Sequence, residues 1–172
     1  DLPKLALLSE RNQYAFKELL EKYMTYQDGR EAVYQKWRII YQNSAVPTIP
    51  LAAMIQDDEI RQEVFDSVEF LINYGEFRDT APLAQVIGNA KHGAHIIANN
   101  FEEFFAGCLT DLSSITLPCI ETPYGRRVIK ENFERIKSKY SKNQWDTPVG
   151  GFFATVSKME GFPELAEEYE KY

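Results

Sequence analysis

The first residues whose type and spacing suggest chemistry are His92 and His95, the two histidines of this chain. At positions i and i+3 of a helix they would share one face and present two imidazoles to a metal. A zinc site needs a third and a fourth protein ligand at recognisable spacing, and the neighbouring sequence offers none. Spacing alone therefore favours one surface histidine and one partly buried histidine over a metal site.

Two other groups have residue types suited to ion binding or redox chemistry. The run Asp57-Asp58-Glu59 lacks the glycine and the alternation of a calcium loop. It is typical of a helix N-terminus, where the helix dipole favours negative charge. Cys108 and Cys119 lie in or beside apolar runs without metal-type spacing. We predict two buried thiols in a reducing, cytoplasmic compartment, with a disulfide between them as the alternative.

The charge and length of the chain exclude several classes of protein. It has 172 residues and a formal net charge of −7, and this length suits one domain. Nucleic-acid binding normally uses a cluster of Lys and Arg, whereas the nearest basic stretch, Arg126 to Arg135, is interrupted by Glu131 and Glu134. No stretch reaches the roughly 18 apolar residues that a membrane span needs. We therefore predict neither a nucleic-acid partner nor a membrane span.

Apolar residues recur at helical spacing along most of the chain, and no segment sustains the period of two that a strand needs. We therefore predict an all-α fold. The first expected helix runs from about Ser9 to Tyr26 and carries the apolar stripe Ala15–Tyr23. The other stripes are Ala32–Tyr41, Ile60–Ile72, Leu83–Ala90, Phe101–Ile115 and Val128–Tyr140, with a short further helix from about Pro163.

Capping and breaking residues predict where these helices begin and end. Asp57 or Asp58 is the expected N-cap of the helix at 60–72, and Thr122-Pro123 combines an N-cap with a proline at the first helical position. Asn99 and Glu102 match a capping box in outline. Breaks are expected at Asp28-Gly29, along the corner from Asn43 to Pro50, and from Pro148 to Gly151.

The segment around His92 resembles the proximal-histidine region of the globin family. His92 comes at the end of a predicted helix, and a short turn leads through Ile97 into a helix with Phe101 and Phe104. The residues that fall near family positions of the same type are Leu83, Ala84, Gln85, Lys91, His92, Ile97, Phe101 and Phe104.

The likeness runs helix by helix from about Ser9 to Lys142. Gly29 to Trp37 looks like the second globin helix, whose small residue permits a close helix crossing, and Asn132 to Tyr140 is similar to the last globin helix. The resemblance implies a globin-like haem domain at residues 1–150 and a C-terminal extension at 151–172 that packs on this domain.

The resemblance also implies a cofactor and its ligands. His92 would hold the iron of a haem b, and the protein would bind oxygen or another diatomic gas without being an enzyme. The residue facing the iron on the other side would be Glu63, or Gln62 if the register slips by one. The other haem contacts would come from Tyr34 or Val33, Val64, Ser67, Ile97, Phe101 and Phe104. A homodimer is a further expectation for this chain.

Two alternatives follow from departures from the globin pattern. The corner from Ser44 to Leu51 lacks the phenylalanine that normally wedges the haem, and a carboxylate at Glu63 is costly beside it unless it faces solvent. Both features favour a cofactor-free helical regulatory or protein-interaction domain, in which Glu63 is a solvent-facing residue. A peroxidase-like or dioxygenase activity on the same haem is the third hypothesis.

Overall fold

The computed structural model describes residues 4, 6, 12–74, 79–142 and 148–171, which are helical and turn residues with no β-strand among them. The predicted all-α fold class is therefore confirmed. By compactness the chain divides into two units, Asp1–Phe77 and Arg78–Tyr172.

The first unit contains five described helices. In chain order they are α1 (Gln13–Met24), α2 (Gln27–Asn43), α3 (Thr48–Met54), α4 (Asp58–Phe65) and α5 (Val68–Tyr74). Helix α1 packs against α2 and α3, and α2 also packs against α3. The apolar stripes of these helices supply the fully buried side chains of this unit, which include Leu20, Trp37, Ile40, Leu51, Met54, Ile60, Val64 and Leu71.

The second unit is built around one short helix that five others contact. Its helices are α6 (Ala81–Gly88), α7 (Gly93–Asn99), α8 (Phe101–Gly107), α9 (Ser113–Ile120), α10 (Pro123–Lys142), α11 (Pro148–Met159), a 3-10 turn (Pro163–Leu165) and α12 (Ala166–Tyr169). Helix α9 contacts α6, α7, α8, α10 and α11. The hydroxyls of Thr116 and Thr155, both fully buried, lie 2.7 Å apart and join α9 to α11.

The C-terminal segment packs on α9 and α10 of its own unit. The Arg126 guanidinium lies 4.4 Å from the centre of the Phe162 ring and pairs with Glu164. Lys158 pairs with Glu121 at 2.8 Å. A buried apolar face, whose members are Val156, Met159 and Leu165, and these charged contacts together hold the segment in place.

Two predicted caps and the state of the cysteines are confirmed. The Asp57 carboxylate accepts hydrogen bonds from the Glu59 and Ile60 amides at the start of α4. The Thr122 hydroxyl accepts one from the Gly125 amide at 2.9 Å in the first turn of α10. Cys108 and Cys119 are buried free thiols, and burial raises the pKa of each to about 12. Neither thiol is therefore a ready nucleophile.

Three predicted boundaries in the first part of the chain are wrong. The break expected at Asp28-Gly29 lies earlier, between Met24 and Gln27. The corner expected up to Pro50 ends sooner because α3 begins at Thr48. Pro50 is tolerated there because amides in the first turn of a helix have no intrahelical acceptor. The helix expected at 60–72 is interrupted at Asp66 and Ser67.

Three boundaries in the second unit also differ from prediction. Asn99 ends α7 instead of capping the next helix, and the backbone of Asn100 separates α7 from α8. The helix expected at 101–115 stops at Gly107. The break expected at Pro148 to Gly151 is instead the beginning of α11, because proline is favoured in the first turn of a helix.

A carboxylate ties the start of α6 to the segment after α8. Asp79 accepts hydrogen bonds from the amides of Leu109 at 2.8 Å and Ala81 at 3.1 Å, and from the Thr110 hydroxyl. Partial burial alone would raise the pKa of Asp79, but these hydrogen bonds outweigh it and hold the pKa below its ordinary value of 3.8. The charged carboxylate therefore stabilises the folded state.

We expect Asp79→Asn to lower the free energy of unfolding by about 1 kcal/mol at neutral pH, because charged acceptors make the stronger hydrogen bonds. A carboxyl whose pKa is lower in the folded state stabilises the fold at pH values above its ordinary pKa. This stabilisation is lost as the pH falls toward the pKa of the folded state. The difference between variant and wild type should therefore shrink as the pH falls below 3.8. Urea unfolding at a series of pH values measures it, and a difference that is constant with pH would contradict the prediction.

Candidate functional site

His92 lies in an exposed turn of the second unit. Helix α6 ends at Gly88, and α7 begins at Gly93, directly after His92. His92 has φ of 66°, the one positive φ outside glycine among the described residues. Both His92 and His95 are exposed. The prediction that His92 sits at the end of a helix is therefore wrong.

The other residues predicted on the His92 side of a haem are core residues. Ile97 and Phe104 are completely buried, and Phe101 is 3% exposed. The Phe101 ring stacks on Phe105 with the ring centres 5.2 Å apart. These side chains are already covered by protein atoms, so they fill the core and do not line an opening.

The residues predicted on the opposite side of a haem lie in the first unit, where Arg38 engages two of them. Its Nη2 donates to Glu63 Oε1 at 2.9 Å and to Ser67 Oγ at 2.8 Å. Glu63 is half-buried in this ion pair, which joins α2 to α4. The Arg38 guanidinium also lies 5.1 Å from the centre of the Trp37 ring. Glu63 therefore has a structural partner within its own unit.

The remaining predicted residues of this side have three different surroundings. Gln62 is exposed and donates to Asp66 at 2.8 Å. Val64 and Val33 are completely buried. Tyr34 is 43% exposed and borders a surface groove.

The surroundings of His92 bear on the predicted haem ligand set. The axial histidine of a haem protein is held in a pocket that controls solvent access to the iron, whereas His92 is exposed in a turn. Among the described residues there is no group of three or more His, Cys, Asp or Glu side chains able to hold a metal ion, a finding that concerns multi-ligand metal sites and not a haem iron held by one residue. The haem hypothesis stays a prediction, and the exposure of His92 weighs against it.

A small apolar pocket opens on the surface of the first unit where α1 meets α2. We call it the tyrosine pocket; its volume is about 300 Å³, and its lining residues are Leu19, Lys22, Tyr23, Tyr26 and Gly29. Almost all of its lining surface is apolar. A side chain at Gly29 would meet the Tyr23 carbonyl oxygen at 2.0 Å, so glycine permits this close approach of α1 and α2.

A larger polar groove lies along the exposed face of α2. This acidic groove has a volume of about 530 Å³ and is lined by Gln27, Arg30, Glu31, Tyr34, Gln35, Asp57, Asp58, Glu59 and Ile60. Its α2 residues recur at helical spacing and therefore share one face. Four carboxylates and one guanidinium line it, so the groove carries net negative charge.

Sequence reasoning missed this surface, because helical periodicity does not predict it. Tyr23 fits the apolar stripe of α1 and was assigned to it, but Tyr23 is 38% exposed and Tyr26 is 71% exposed. Tyr26 comes two residues after α1 ends, just before α2 begins, where helical periodicity gives no guide to burial. The closeness of Asp57–Glu59 to α2 depends on tertiary packing.

Comparison with protein-family models, curated proteins and solved structures finds no match to this chain. Within the described ranges, none of the helices has both the length and the hydropathy to cross a bilayer. The function has therefore to be argued from the surfaces above.

Proposed function

We propose that this chain is a cofactor-free helical domain that binds another protein through the first unit. The observation that carries the proposal is the tyrosine pocket, an apolar cavity walled by Tyr23 and Tyr26 and open at the surface. Pockets that receive an apolar side chain are typical centres of protein interfaces, and tyrosine is enriched among the residues that dominate binding energy.

The exposed aromatic residues of α1 and α2 support the same proposal. Tyr14 is 75% exposed, and Tyr23, Tyr26 and Tyr34 expose between 38% and 71% of their surface. Ile39, further along α2, is 46% exposed. Single exposed apolar residues are ordinary, but several on two consecutive helices, two of which line an apolar pocket, are typical of an interaction surface.

Capture from an extract of the source cells tests the tyrosine pocket. We expect the immobilised chain to retain a defined protein that is lost with the Tyr23→Ala/Tyr26→Ala double variant. The matched control is Tyr124→Ala, which truncates a tyrosine of comparable exposure in the second unit. Mass spectrometry of the three eluates measures the difference. Equal retention by all three would contradict the proposal.

The globin-like gas-binding hypothesis is the second candidate, and a spectrum separates it from the first. We expect added haemin to give no intense porphyrin band on the protein and no rise in Tm, because His92 is exposed. The variants His92→Ala and His95→Ala should match wild type. A porphyrin band lost in His92→Ala and kept in His95→Ala would instead support haem binding.

A further inference from the structure

We infer that the partner of the first unit is a basic peptide segment with one aromatic or large aliphatic anchor residue. The anchor enters the tyrosine pocket, and Lys or Arg side chains of the same segment lie in the acidic groove. This inference rests on the proposed function and adds the chemical class of the partner.

The two cavities are neighbours on α2, so one segment reaches both. Tyr26 lines the tyrosine pocket and Arg30 lines the acidic groove. The Arg30 amide donates to the Tyr26 carbonyl at 2.9 Å, which is one helical turn. Residues four apart on a helix are adjacent on its surface. The anchor and the flanking residues of a single short segment therefore span the distance between the two cavities.

The size and lining of the tyrosine pocket select the anchor. At about 300 Å³ it lies at the lower end of the range for ligand sites, about 300–1,000 Å³. Its lining is almost wholly apolar, so a polar side chain would lose its water without gaining a hydrogen bond. A side chain such as Trp, Phe or Leu suits this space.

The charge of the acidic groove selects the residues that flank the anchor. Asp57 caps α4 and Asp58 pairs with Arg61, so both are already engaged. Glu31 accepts a hydrogen bond from Gln27 at 3.3 Å, and the exposed Glu59 lines the groove. These two exposed carboxylates are available to Lys or Arg of a partner.

Positive charge at the pocket end fixes the direction of the segment. Lys22 borders the tyrosine pocket, and the available carboxylates, Glu31 and Glu59, lie in the groove. A segment that places its basic residues toward α4 meets opposite charge, whereas the reversed segment meets Lys22. Complementary charge of this kind governs association rate and specificity.

The same charges disfavour two other partners. A nucleic acid would bring phosphates to a groove of like charge. A second copy of this chain would carry the same acidic groove and a net charge of −7, so like charges would oppose self-association.

The test begins with selection from a displayed library of random short peptides on the full chain. Counter-selection on the Tyr23→Ala/Tyr26→Ala variant removes peptides that bind elsewhere. We expect the enriched peptides to combine an aromatic or large aliphatic residue with Lys or Arg. Enrichment of acidic or uncharged peptides, or no enrichment, would overturn the inference.

Fluorescence anisotropy of the most enriched peptide, labelled with fluorescein, then measures each arm of the site. We expect Tyr26→Ala to weaken binding by about tenfold, as for a central interface residue. Glu31→Gln/Glu59→Gln should weaken it by a similar factor and reduce its dependence on salt. The matched control Glu103→Gln removes an exposed carboxylate of the second unit and should leave binding unchanged.

The outcomes separate this inference from the proposed function. If capture from the extract depends on Tyr23 and Tyr26 but the selected peptides are not basic, the partner class is wrong and the interaction domain stands. If capture is independent of the two tyrosines, the proposed function fails. Sedimentation velocity of the full chain tests the remaining alternative, which is a second copy of this chain. Self-association that is lost in Tyr26→Ala would assign the surface to that second copy and overturn the inference.

Discussion

Gly93→Ala is expected to lower the free energy of unfolding by about 3 kcal/mol, the upper end of the usual cost of overpacking a core position. A Cβ atom at Gly93 would lie 1.6 Å from the Ile87 carbonyl oxygen and 2.6 Å from its carbon. Both atoms belong to the backbone of α6, so no rotamer change relieves the clash. Gly93 is also buried at the start of α7. The alanine therefore forces α6 and α7 apart.

The neighbouring substitution His92→Gly should instead raise the free energy of unfolding. His92 has φ of 66°, a region that costs a non-glycine residue roughly 1–2 kcal/mol. Glycine removes that cost but adds backbone entropy to the unfolded chain, so we expect a net gain of about 0.5 kcal/mol. Urea unfolding followed by circular dichroism measures both variants. Loss of stability in His92→Gly would contradict this account of the turn.

These two positions also indicate what the sequence could not predict about the candidate site. A histidine between two helical stripes fits a helix end or an exposed turn equally well, because periodicity says nothing about a single residue outside both stripes. Ile97, Phe101 and Phe104 fit apolar positions and are buried. Their spacing predicts burial, but it does not distinguish core packing from contact with a cofactor.

Local signals were reliable where the responsible contact lies within a few residues. Asp57 and Thr122 cap helices as predicted. In each case the side-chain oxygen that accepts the hydrogen bond and the backbone amide that donates it are only two or three positions apart in the sequence. Helix breaks were less predictable. Pro148 and Pro50 occupy the first turns of α11 and α3, a place where proline begins a helix as readily as it ends one.

Contacts between residues that are far apart in the sequence could not be predicted from hydrophobic periodicity. Glu63 pairs with Arg38, which lies 25 positions earlier in the sequence and also donates to Ser67. The acidic groove has the same origin, because Asp57–Glu59 and the exposed face of α2 become neighbours only when the first unit packs. A sequence alone gives these charges, but tertiary structure brings them to one groove.

The binding surface depends in turn on the anchoring of α2, which Trp37 provides. Trp37 is 2% exposed, and its ring meets Phe70 edge to face with the ring centres 5.7 Å apart. The Arg38 guanidinium lies 5.1 Å from the centre of the Trp37 ring. Truncation therefore removes a large buried side chain and weakens the contacts that hold α2 to α5.

We expect Trp37→Ala to lower the free energy of unfolding by about 3–5 kcal/mol, the usual cost of truncating a buried aromatic residue. The control is Ile39→Ala on the same helix, where 46% exposure limits the expected change to about 0.5 kcal/mol. Hydrogen exchange measured by mass spectrometry should report faster exchange in α2 and α5 for Trp37→Ala. Wild-type protection of α2 in that variant would contradict the anchoring role, because a helix fixed by other contacts would keep the tyrosine pocket and the acidic groove intact without Trp37.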